Sequence, residues 1–221
     1  MFKKAIIAGA LLAAVAGANA QSAGFGVIGT INPNACTLTL SGGGVADYGT
    51  QATVAVQARS VYLGAYNLGV KTIPLAVTCG SAIAVELAFV DNRSAQLFAL
   101  GDGYDAIRYG IGNGAATTPF GTYDLTTDGL TIDGAAPAVW LSAPTGTTTW
   151  ATTVVGGASA VFAQPGHAVG FGKVAGATVP STLTTIGGVL NINARVSKAA
   201  VDAATGAMTL NGSGTISLQY L

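Results

Sequence analysis

Cys36 and Cys79 are the only cysteines among 221 residues. The chain begins with a secretion signal, and in an oxidising compartment an even count of thiols reads as a disulfide. A zinc site takes four ligands, and a lone histidine does not supply them. A bridge between positions 36 and 79 is worth roughly 4 kcal/mol in the chain-entropy account. It staples an early strand to a later one.

Other reactive side chains are sparse. His167 is the sole histidine, so any Ser-His-Asp chemistry would pass through it. It follows Pro165-Gly166, a turn signature, and no Gly-x-Ser-x-Gly elbow occurs. Asp102, Asp105, Asp124, Asp128 and Asp133 are a conceivable calcium set, but most precede turn residues and none forms an EF-hand loop; they read as turn formers. Gly110-Ile111-Gly112-Asn113-Gly114 opens no helix and so is no phosphate loop. Trp140 and Trp150 flank Pro144-Thr145-Gly146, a hairpin with an aromatic near each end, where cross-strand or core packing is the commoner use than stacking on a sugar. The expectation is a protein with no catalytic centre, no metal and no cofactor.

The elements that carry these residues are strands. From Met208 to Tyr220 the large apolar side chains, Met208, Leu210, Ile216, Leu218 and Tyr220, fall on one parity, with Gly212 and Gly214 between them. Phe25, Val27, Gly29 and Ile31 repeat the pattern ahead of Cys36. Period two puts each set on one face of an extended segment. Further alternating or apolar runs lie at 36–40, 53–57, 70–78, 83–90, 137–141, 148–155, 159–163, 167–173 and 188–197, separated by Gly, Asn, Asp and Pro. Residues 94–100 and 198–204 have room for a helical turn or two. Many short strands without βαβ spacing predict a sandwich or a barrel.

Residues 1–20 carry Lys3 and Lys4, an apolar stretch and Ala18-Asn19-Ala20, the three parts of a secretory signal. The apolar stretch falls short of the roughly 20 residues that span a bilayer. Without Lys3 and Lys4, seven basic residues face nine acidic ones, a net charge of −2, which leaves no basic patch for nucleic acid. Only 8% of residues are charged, and glycine numbers 32. A surface so poor in charge suits a chain that packs into an assembly.

Taken in order, Phe25-x-Val27-x-Gly29-x-Ile31, Asn34-Ala35-Cys36, Pro74-Leu75-x-Val77-x-Cys79 and Ile216-x-Leu218-x-Tyr220 resemble the subunits of chaperone-usher fimbriae, of the beta-fimbrial, major-subunit-like branch. The resemblance covers about half of the exported chain. It implies an all-β fold, an immunoglobulin-like β-sandwich that is incomplete for want of its last strand. Residues 21–35 would be the N-terminal extension, with Phe25, Val27, Gly29 and Ile31 the donor strand, and 36–221 the pilin-like domain with an insertion at about 101–165. Met208, Leu210, Ile216, Leu218 and Tyr220 would line the groove that a periplasmic chaperone fills first and a neighbouring subunit's extension fills later. The chain departs from the family at Met208, where members often carry glycine, and in the length of 101–165.

The function so implied is that of a structural subunit of a surface fimbria or pilus, supporting cell adhesion. It is exported through the periplasm to the cell surface and polymerised by donor-strand exchange. Its partners would be a periplasmic chaperone, an outer-membrane usher and identical or related subunits, with any host receptor unspecified and no nucleic acid. Two other readings stand beside it: a secreted or periplasmic non-catalytic β-sandwich binding protein, in which 21–32 is an ordinary first strand, and an outer-membrane β-barrel.

Overall fold

The computed structural model describes residues 35–116, 118–153 and 161–221. The expected leader and the expected donor positions Phe25, Val27, Gly29 and Ile31 lie outside them. The strands are β1 (Cys36–Leu40), β2 (Val61–Tyr62), β3 (Ala65–Asp91), β4 (Arg108–Asn113), β5 (Gly121–Ile132), β6 (Val139–Pro144), β7 (Ala151–Thr152), β8 (Val161–Phe162), β9 (His167–Gly172), β10 (Thr182–Ser197), β11 (Leu210–Gly212) and β12 (Gly214–Tyr220), with short helices α1 (Thr53–Gln57) and α2 (Lys198–Asp202).

All strand pairs are antiparallel, in a curled, sandwich-like, all-β arrangement whose two layers share β3. One layer runs β1-β3-β10-β5-β4-β11 and the other β12-β3-β9-β6-β7. The two runs expected at 70–78 and 83–90 are parts of this one 27-residue strand. On β10, Leu183 faces Ile83 while Thr185 faces Thr78, so residues 79–82 form a bulge where β3 passes from one layer to the other. Asp133 fixes the facing turn: its Oδ1 accepts from the Thr184 and Thr185 amides at 2.8 and 2.9 Å and from the Thr184 hydroxyl at 2.7 Å.

Alternate residues of β3 build the core. Ile73, Leu75, Val77, Val85, Leu87 and Phe89 are all buried, and they meet Leu183, Ile186 and Leu190 of β10 and Phe171 of β9. Each such side chain is worth about 1.5–3 kcal/mol of burial. Pro74 is tolerated mid-strand because of the side it faces. Gly80, six residues on, donates its amide toward β1 (to Ala35 O, 3.2 Å), so position 74 turns its missing N–H to that same edge, beyond the end of β1.

Residues 53–57, expected as a strand, are helix α1. Val56 is buried while Val54 is exposed; one inward position per turn is satisfied by a helix, and a five-residue alternation does not decide the period. The stretch 101–165 supplies β4 to β8, and β5 lies against β10 over ten register pairs. The C-terminal run divides at Ser213: β11 pairs with β4, whereas β12 pairs with β3.

Candidate strand-docking seam

β1 and β12 lie end to end along one edge of β3, whose other edge is taken by β10 and β9. Gly80 donates to Ala35 O at the head of β1, and Leu221 donates to Ala84 O at the tail of β12, at 3.1 Å. The two strands touch where the Tyr220 hydroxyl accepts the Cys36 amide at 2.8 Å. Among the described residues neither strand pairs with anything but β3, so each presents an open edge of backbone donors and acceptors.

Side-chain burial falls off at this edge. Cys36, Leu38 and Leu40 are the register partners of Cys79, Val77 and Leu75, and Ile216, Leu218 and Tyr220 those of Phe89, Leu87 and Val85. The six β3 members are buried. Opposite them, Cys36, Leu38, Leu40, Ile216 and Leu218 are only half-buried against the core, and Tyr220 is 50% exposed. Among the described residues the apolar layer therefore ends at β1 and β12, along a seam whose outer main-chain groups have no strand partner.

The expected disulfide is present between Cys36 and Cys79, directly opposed in register, and it clamps β1 to the bulge of β3. Met208 and Leu210 do not join Ile216, Leu218 and Tyr220. They line a separate cavity of about 560 Å³ with Val45, Tyr48, Val56 and Phe120. Close to the seam, Glu86 stands opposite Gln219 of β12. It is buried, with no partner for Oε2 among the described residues, and its burial pushes the carboxyl up from its ordinary value.

One charged cluster escaped the sequence reading. Arg108, with its side chain 5% exposed, binds Asp102 (2.6 Å), Asp105 (3.0 Å) and Asp124 (3.0 Å), and Asp124 also takes Arg195 at 2.5 Å. The Arg108 guanidinium holds the Asp102 carboxyl well below the usual carboxylate range. Asp105 in turn accepts the Leu100 and Gly101 amides. Three of the five aspartates weighed for calcium thus pin a loop through arginine. The one sequence signal was Arg108 three residues after Asp105.

His167 opens β9 after a turn in which its amide donates to Gln164 O. Trp140 packs edge-on against Phe171, centroids 5.5 Å apart, so this ring of the hairpin is core. No helix among the described residues is long and apolar enough to cross a membrane.

A family model described as "Protein of unknown function (DUF1120)" matches residues 25–135, a span that includes β1, the disulfide and the whole of β3. Protein GltF of Escherichia coli (strain K12) is 24% identical over 223 residues, covering 88% of this chain and 87% of that protein. No solved structure matches.

Proposed function

The chain belongs to the DUF1120 family, and from that premise we propose that it is a non-catalytic structural subunit whose seam along β1 and β12 receives a strand from another chain. The observation that carries this reading is the half-buried row of Leu38, Leu40, Ile216 and Leu218 on strands whose outer edges have no partner among the described residues. A strand added there gains main-chain hydrogen bonds from the edge and specificity from its alternate side chains. Each large apolar side chain it buries adds about 1.5–3 kcal/mol.

The donor is the segment Phe25, Val27, Gly29, Ile31 of a neighbouring subunit, and a periplasmic chaperone fills the seam beforehand. The subunit is exported through the periplasm and assembled by an usher into a surface fimbria that supports adhesion. The test is Val27→Asp. A charge on the donor face would be buried unpaired at a cost of several kcal/mol, so this variant keeps its monomeric chaperone complex and forms no polymer. Loss of the monomer instead would make 21–32 an internal strand and refute the reading.

A further inference from the structure

The cavity reached by Met208 and Leu210 takes no part in the seam. It lies between two loops, residues 45–52 leading into α1 and residues 203–209 leading from α2 to β11, over a floor of Val56, Leu68, Phe120, Val196 and Val201, all buried. Both loops are pinned to the sheet. The Tyr48 hydroxyl donates to Ile192 O at 2.7 Å and accepts the Ala194 amide at 3.3 Å, which ties the first loop to β10. The Thr209 amide donates to Asn113 Oδ1 and the Gly114 amide to Thr209 O, both at 2.8 Å, which ties the second to the end of β4. Beneath them Gln57 Nε2 donates to Asp202 Oδ1 at 3.1 Å and joins α1 to α2. A space bounded in this way is formed before anything enters it.

At about 560 Å³ the cavity has room for roughly twenty waters at about 30 Å³ apiece. Its polar side chains are mostly spent on the protein. Besides Tyr48, Gln51 donates to Tyr48 O at 3.1 Å and accepts from Arg59 at 2.8 Å, and Asp47 Oδ1 accepts the Gly49 amide at 2.7 Å. The side-chain groups left for water are the hydroxyls of Thr50, Thr53 and Thr209 and the second oxygen of Asp47, all at exposed positions on the rim. Water over the floor therefore meets hydrocarbon, and an apolar molecule that displaces it gains affinity. Asp47 is the one carboxylate on the wall, and among the described residues no lysine or arginine lines the space. Arg59 and Lys71 stand nearby but are turned elsewhere, Arg59 to Gln51 and Leu68 O, Lys71 to the Tyr48 ring at 5.8 Å from its centre. A carboxylate with no cation facing the space disfavours an anionic occupant.

We propose that this cavity binds an uncharged, mainly hydrocarbon small molecule, with its body on the Phe120 floor and any hydroxyl at the threonine rim. A benzene-sized ring is satisfied by about 150 Å³, so a single apolar side chain inserted from another protein would leave most of the space to water. The volume falls within the roughly 300–1,000 Å³ of small-molecule sites. This site is separate from the seam and does not depend on strand docking.

The test is fluorescence titration of the exported protein with the uncharged dye N-phenylnaphthylamine, which brightens in apolar surroundings. Wild type binds it saturably at one dye per chain. Decanol displaces the dye, and decanoate at neutral pH displaces it at least about tenfold less well. Asp47→Asn, whose amide oxygen keeps the bond to Gly49, narrows that gap. Met208→Gln and Leu210→Asn, changes of similar bulk on the cavity wall, each weaken the dye about fivefold. Val174→Asn, exposed and outside the cavity, leaves it unchanged, and a saturating amount of the peptide of residues 21–32 does not displace it. No saturable binding, wild-type affinity in both Met208→Gln and Leu210→Asn, decanoate competing as well as decanol, a gap untouched by Asp47→Asn, or displacement by the peptide would each overturn the proposal. The decanol and decanoate competition uses wild type alone, so it decides the matter even where a variant fails to fold.

Discussion

Leu218 is half-buried in β12, while its register partner Leu87 on β3 is fully buried. A buried leucine cut to alanine costs about 2–5 kcal/mol, so the half-buried Leu218 costs about 1–2 kcal/mol in the unoccupied protein. With a strand docked on the seam Leu218 becomes core, and the same cut costs the full amount. The difference, about 1–3 kcal/mol, must appear as lost strand affinity, a factor of about 5–150. Leu87→Ala pays its whole cost in both states and leaves the affinity unchanged. The assay is calorimetric titration of a peptide of residues 21–32 into each protein. A thermal scan runs beside it, in which peptide at about 100 times its Kd adds about 2.7 kcal/mol and raises Tm by about 5–11 °C for a domain of this size. Equal affinities of wild type and Leu218→Ala, or a larger loss in Leu87→Ala, would refute the reasoning, because the docking strand would then not cover β12.

Replacing Cys36 and Cys79 together by alanine should lower stability by about 4 kcal/mol, seen as a Tm lower by about 8–16 °C, and it should free the head of β1. Arg108→Met leaves Asp102, Asp105 and Asp124 without their shared cation, and removing one partner of a buried pair costs about 3–5 kcal/mol, readable from the urea midpoint. Because Arg108 holds Asp102 below its ordinary value of 3.8, wild-type stability is present above that pH and falls as the pH drops below it; the Arg108→Met curve should be flatter there. Glu86 has the opposite sign. Its carboxyl is raised from 4.5 by burial, so its contribution is complete below pH 4.5 and is lost as the pH rises through the folded value. Glu86→Gln should therefore melt higher than wild type at pH 7 and gain little at pH 4.

Chemistry and local period made much of the protein legible from its residues alone. Two cysteines behind a secretion-signal pattern predict a bridge whatever the fold, and the structure has it. The alternation at 36–40, 70–78, 83–90 and 188–197 reports a strand face because adjacent side chains in an extended chain point to opposite sides, and those positions are strands. The parity of Ile216, Leu218 and Tyr220 likewise gave the apolar side of β12. Parity says nothing, however, about which strand comes alongside or whether an edge is left open. That β3 runs unbroken through both layers, that the C-terminal run changes partner at Ser213, and that β1 and β12 share one edge depend on register between residues as far apart as 36 and 220. The Arg108 cluster was hidden because Asp124 reaches Arg108 from another strand and carries Arg195 on its other oxygen. The left-handed backbone of Leu63, outside every expected strand, comes from the tight closure of β2 onto β3 and not from the side chain itself. Short-range pattern is fixed by the stereochemistry of neighbouring residues; pairing, burial and charge partners are settled only when distant segments meet.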